Sequence, residues 1–120
     1  MINITFKPKT LELEVSGHAG HGKKGKDIVC AAVSTLFYTL GETLWQSSSM
    51  LYEEPLVKEE EGDGYIVCHP KEEYEGNIAT IYMTIVIGLQ MIAEQYPQNV
   101  KFCVLEKKNV KKSQKTKGES

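Results

Sequence analysis

Arginine is absent from these 120 residues; all fourteen basic side chains are lysines. Arginine is the usual source of bidentate contacts to phosphates and bases, so the composition argues against a dedicated nucleic-acid reader. Cysteine is scarce and odd in number, at positions 30, 68 and 103. Three thiols cannot all pair into a disulfide framework, and they suit a reducing, cytoplasmic setting. Long apolar runs are missing too. The longest, Ile78 to Ala93, is interrupted by Thr80, Thr84, Gly88 and Gln90 and falls short of the roughly 20 apolar residues a membrane span requires. The first nine residues do not set a basic segment before an apolar one, so neither export nor a membrane is expected.

What is present reads as an ordinary globular chain, 41% apolar and 25% charged, of single-domain length. Charge is distributed unevenly. Residues 106–120 hold six lysines against two glutamates, whereas residues 1–105 hold eight lysines against fourteen acidic residues. The expected division is a single domain over 1–105 followed by a Lys-rich, disordered tail over 106–120. That tail is either solubilising or weakly attracted to RNA or the ribosome.

Ile2, Ile4 and Phe6 alternate with polar residues, as do Leu11, Leu13 and Val15, which predicts two strands joined by a turn over Lys7–Thr10. A glycine- and lysine-rich segment follows, from Gly17 to Lys26, and reads as a solvated loop. Asp27 is placed to cap a helix, in which Val29, Val33, Leu36, Leu40 and Leu44 form the apolar stripe. Two short strands, about 56–58 and 65–69, flank the acidic turn Glu59–Gly64. Asn77 is placed to cap a second helix that is apolar on nearly all sides, which predicts cover from a second chain. Val100, Phe102 and Val104 close the chain as a strand. The order β-β-α-β-β-α-β predicts an α+β fold, two helices packed on a mainly antiparallel sheet.

Chemistry concentrates between residues 17 and 34. With Asp27 as cap, Cys30 lies in the first turn of its helix, where unpaired N–H groups and the helix dipole favour a thiolate. The loop is long enough to bring His18 to the sulfur, giving an activated nucleophile with its general base and acid. The same N–H groups could hold an acyl-transfer oxyanion. A small cysteine at a helix start can equally be packed core. Zinc is a rival reading, with His18, His21 and Cys30 joined by His69 or Cys68, but the spacing lacks the paired cysteines of common structural sites. Phosphate binding is another. Neither Gly22-Lys23 nor Gly25-Lys26 is followed by the Ser or Thr of a P-loop, and Asp27 repels an anion. Cys68 and Cys103 read as core thiols, His21 as a loop residue and His69 as a surface histidine. Trp45 and the tyrosines read mostly as packing.

The string Gly17-His18-Ala19-Gly20, then Gly25, then Asp27-Ile28-Val29-Cys30-Ala31-Ala32-Val33-Ser34, resembles the signature of the ribosomal-processing cysteine proteases, the Prp family. The element order and length extend the resemblance to about residue 105. It implies a cytosolic endopeptidase that removes an N-terminal extension from large-subunit ribosomal protein twenty-seven. By motif position Cys30 is then the nucleophile and His18 the general base and acid, with Asp27 and Ser34 in support. Gly17, Ala19, Gly20, Gly22 and Gly25 belong to a substrate loop that closes over bound peptide. The resemblance also implies a homodimer and neither metal nor organic cofactor. A non-enzymatic, ribosome-associated binding protein using the Lys tail is the alternative.

Overall fold

Alternation along the first strand, β1 (Ile2–Lys7), sends Ile2, Ile4 and Phe6 to one side, where all three are buried. Its neighbour β2 (Glu12–Ser16) does the same with Leu13 and Val15. The computed structural model describes residues 1–17 and 24–106; residues 18–23 and 107–120, and the side chains of residues 24–27, fall outside that description. Helix α1 (Lys24–Gln46) follows, then the hairpin β3 (Leu56–Glu60) and β4 (Asp63–Val67), helix α2 (Glu75–Gln95) and β5 (Val100–Val104). The expected order is the observed one.

The five strands form one sheet in the order β3-β4-β2-β1-β5, antiparallel except where β5 lies parallel to β1. Both helices pack on one face. Val29, Val33, Phe37, Leu40 and Leu44 of α1, with Ile78, Tyr82, Ile85, Val86 and Leu89 of α2, close over the apolar side of the strands. Burial of each large aliphatic side chain contributes about 1.5–3 kcal/mol, so this layer supplies the main stabilisation. Both helices are long and apolar enough to cross a bilayer by length and composition. Each instead spends its buried stripe on the sheet.

Three expectations need correction. Asp27 does not cap α1: the helix begins at Lys24, so Asp27 is its fourth residue and Cys30 its seventh. A side-chain cap contributes only about 1 kcal/mol, and the Lys-Gly-Lys segment extends the helix past it by one turn. The loop therefore ends before residue 24, and Gly25 is helical. Asn77 likewise lies inside α2, which starts at Glu75 directly after a short 3-10 turn at Glu72–Tyr74. Glu75 in that first turn suits the helix dipole without a side-chain cap. Third, the acidic turn is narrower than expected. Glu60 pairs with Asp63, leaving Glu61 and Gly62 at φ 52° and 86°, the left-handed pair of a two-residue type I′ hairpin.

Candidate active site

Cys30 is half-buried at the margin of the core, and its neighbours Val29 and Val33 anchor the helix there. Ser34 lies one turn further along, also half-buried, so the two side chains share a face of α1. The unpaired N–H groups lie in the first turn of the helix, before Asp27; the Cys30 N–H lies within the regular i→i−4 pattern. The second-turn position removes the direct helix-end contact expected from the sequence.

The chain enters the glycine segment from a fixed point. Gly17 has φ +82°, and its N–H donates to Asp63 Oδ1 at 3.1 Å across the hairpin tip. A Cβ at this position would stand 2.4 Å from the Met1 carbonyl oxygen, so only glycine fits without movement. The residue before His18 is thereby tied to β1 and to the β3–β4 hairpin. His18, Ala19, Gly20, His21 and Gly22 lie outside the described residues, as does the Asp27 side chain. Cys30 and Ser34 are therefore the two candidate side chains brought together on described ground.

Past Ser34 a groove of about 630 Å³ runs along α1, lined by Ala31, Ser34, Thr35, Tyr38, Thr39, Glu42 and Thr43. Thr35, Thr39 and Thr43 each donate their hydroxyl to the backbone carbonyl four residues earlier, at 2.6–2.8 Å. With the hydroxyls occupied, the methyl groups face the groove. The nearby Glu59 carboxylate on β3 raises the pKa of the Tyr38 phenol, with burial adding to the rise. The sequence reading missed this groove, although Ala31, Thr35, Thr39 and Thr43 recur at helical spacing. Asp63 had no local signal, since its partner Gly17 is 46 residues away.

Other candidates lie elsewhere. Cys68 is buried just past β4; burial pushes its thiol pKa up, and the Tyr82 hydroxyl donates to its sulfur at 3.7 Å. Cys103 is half-buried in β5, and His69 is exposed and paired with Glu53. Among the described residues no three or more His, Cys, Asp or Glu side chains cluster as a metal site would require.

An α+β sheet carrying a partly exposed cysteine beside a glycine-rich connection defines a scaffold suited to thiol chemistry. Residues 1–101 match the family model described as cysteine protease Prp, and the chain belongs to that family of cysteine proteases. The ribosomal processing cysteine protease Prp of Staphylococcus aureus is 26% identical over 100 residues, covering 83% of this chain and 92% of that one. Its counterpart from Mycoplasma pneumoniae is 29% identical over 102 residues, covering 85% and 93%. The solved S. aureus protease Prp in complex with a substrate peptide superposes with a TM-score of 0.66 at 23% identity, covering 87% and 97%, which shows a shared fold.

Proposed function

We propose that this protein is a cytoplasmic endopeptidase that removes the N-terminal extension of large-subunit ribosomal protein twenty-seven. Relatives named for ribosomal processing, one of them solved with a substrate peptide, support a ribosomal-protein precursor as substrate. The observation that carries the chemistry is Cys30, half-buried one turn before Ser34, which with Ala31 begins the threonine-lined groove. His18 is the partner that the motif supplies. Its task follows from the position of Cys30 in the second turn: a base from outside the helix must take the thiol proton.

In this mechanism the Cys30 sulfur attacks the scissile carbonyl carbon while His18 holds the proton taken from the thiol. The tetrahedral intermediate collapses as the C–N bond breaks, and the leaving amine takes the proton from the His18 imidazolium. Water then attacks the thioester, giving its proton to His18. The C–S bond breaks, His18 returns the proton to the sulfur, and the extension leaves as a carboxylate. Asp27 and Ser34 act as supports for this pair. The active form is a homodimer, joined through an apolar stripe of α2 in which Met83, Ile87 and Met91 are 47%, 48% and 57% exposed at i, i+4 and i+8. Residues 106–120 act as a solubilising tail.

Purified protein incubated with the precursor should yield one cut, read by mass spectrometry. Cys30→Ala and His18→Ala should each leave the precursor intact while retaining the far-ultraviolet spectrum of the fold. An intact precursor with the unaltered enzyme, or cutting by Cys30→Ala, would refute the reading.

A further inference from the structure

Strand β3 is an edge of the sheet, with β4 on one side and no ladder partner on the other among the described residues. The two-residue turn fixes which of its groups are free. Glu60 and Asp63 form the hydrogen-bonded pair that closes such a turn, and bonding alternates along the ladder from there. Lys58 and Leu56 therefore also bond to β4, whereas the N–H and C=O of Val57 and Glu59 point away from the sheet. The Val57 and Glu59 side chains face the helices. A Cβ on Gly41 of α1 would lie 3.2 Å from the Val57 side chain, and the Glu59 carboxylate stands near enough to Tyr38 to raise the pKa of its phenol. Thus the free edge and the α1 groove border each other along Tyr38.

The groove begins beside the candidate nucleophile, at Ala31 and Ser34, one and four residues after Cys30 on α1. Tyr38 is eight residues, or about 12 Å along the helix, from Cys30. An extended chain at about 3.4 Å per residue covers that distance in three to four residues. We propose that the edge of β3 takes the substrate as a sixth strand, pairing through Val57 and Glu59, so that the bound segment leads along the α1 groove to Cys30. The proposal rests on the reading of Cys30 as nucleophile.

The lining states what the segment must be. Residues opposite Val57 and Glu59 would turn their side chains to the helix face, as directly paired residues do. There the Thr35 and Thr39 methyls and the Tyr38 ring accept apolar groups. Glu42 at the far end of the groove and Glu59 to Glu61 along the edge favour Lys or Arg beside them. A precursor of an RNA-binding ribosomal protein carries cationic residues for its phosphate contacts, which complements this acidic border. Charged edge strands also deter pairing with unrelated chains, so acidic residues here select for a basic partner as well as against apolar ones.

The test uses the full-length Cys30→Ala protein and a synthetic peptide spanning the precursor's cleavage junction, with amide exchange followed by NMR. At saturating peptide, exchange at Val57 and Glu59 should slow at least tenfold, while Phe102 and Val104, whose N–H groups face away from β1 on the β5 edge, stay unchanged. In the active enzyme, Val57→Pro removes one outward N–H without breaking the β3–β4 ladder. It should raise KM about tenfold with the rate of Cys30 alkylation by iodoacetamide unaltered. Bound peptide with unchanged exchange at Val57 and Glu59, or protection on β5 instead, would overturn the proposal. Because exchange needs no turnover, cleavage surviving in Cys30→Ala would refute the nucleophile assignment alone.

Discussion

Gly64→Ala tests how α1 is held over the sheet. Gly64 is buried in β4, and an ideal Cβ there would stand 2.6, 2.7 and 3.1 Å from three ring atoms of Phe37. Phe37 is itself 3% exposed and meets Tyr38 edge-on at 5.4 Å, so the ring has no open side to move into. Replacing a strand glycine by alanine would ordinarily gain about 0.5–1 kcal/mol. Overpacking a filled site costs about 1–3 kcal/mol, so the net effect should be a loss of about 1–2 kcal/mol. For a chain of this length that lowers Tm by about 4–10 °C. Phe37→Leu alone should cost about 1–2 kcal/mol by leaving a void. The double variant fills that void with the new methyl, so its loss should fall short of the sum by at least 1 kcal/mol. Urea unfolding followed by circular dichroism supplies all four corners of the cycle. A neutral Gly64→Ala, or losses that add within about 0.5 kcal/mol, would refute this packing argument.

Alkaline pH should destabilise the fold. Burial raises the pKa of both Cys68, ordinarily 9.0, and Tyr82, ordinarily 10.0. The unfolded chain therefore ionises first, so their stabilisation is complete below about pH 9 and is lost as pH rises; the urea midpoint should fall steadily above that value. Gly17→Ala puts a Cβ against the Met1 carbonyl at a positive φ. It should cost about 1–2 kcal/mol of stability and, by displacing the entry to His18, lower kcat at least tenfold; wild-type kcat would sink that link. Ile87→Lys should convert the proposed dimer to a monomer in light scattering while leaving the helical spectrum intact; a monomer mass for the unaltered protein, or an unchanged dimer mass in the variant, would exclude this stripe as the interface.

The elements were legible because their signals are local. Ile2, Ile4 and Phe6, or Val29, Val33 and Leu40, announce strand and helix by period alone, and each period turned out to face one shared core. Helix starts were misread at Asp27 and Asn77 for the same reason: a capping residue is a weak local preference, overridden when preceding residues can adopt helical backbone. The groove along α1 is lined by that helix alone, but its border with the β3 edge at Glu59 was less legible. Tyr38 and Glu59 lie 21 positions apart.

The chemistry divides in the same way. Cys30 and Ser34 carry a helical spacing that any reader can place on one face, and the structure keeps them there. What fixes the other half of the site is the tie from Gly17 to Asp63, formed between residues 46 positions apart. That bond ties the β3–β4 hairpin to the residue before His18, so the edge proposed to receive substrate and the segment proposed to carry the base share one anchor. Asp63→Ala should therefore do more than remove one hydrogen bond of about 1 kcal/mol. If the hairpin and the His18 segment act through this contact, the variant lowers kcat and raises KM together while Tm shifts by only a few degrees. A variant that loses stability with kcat and KM both at wild-type values would show that the tie is structural and nothing else.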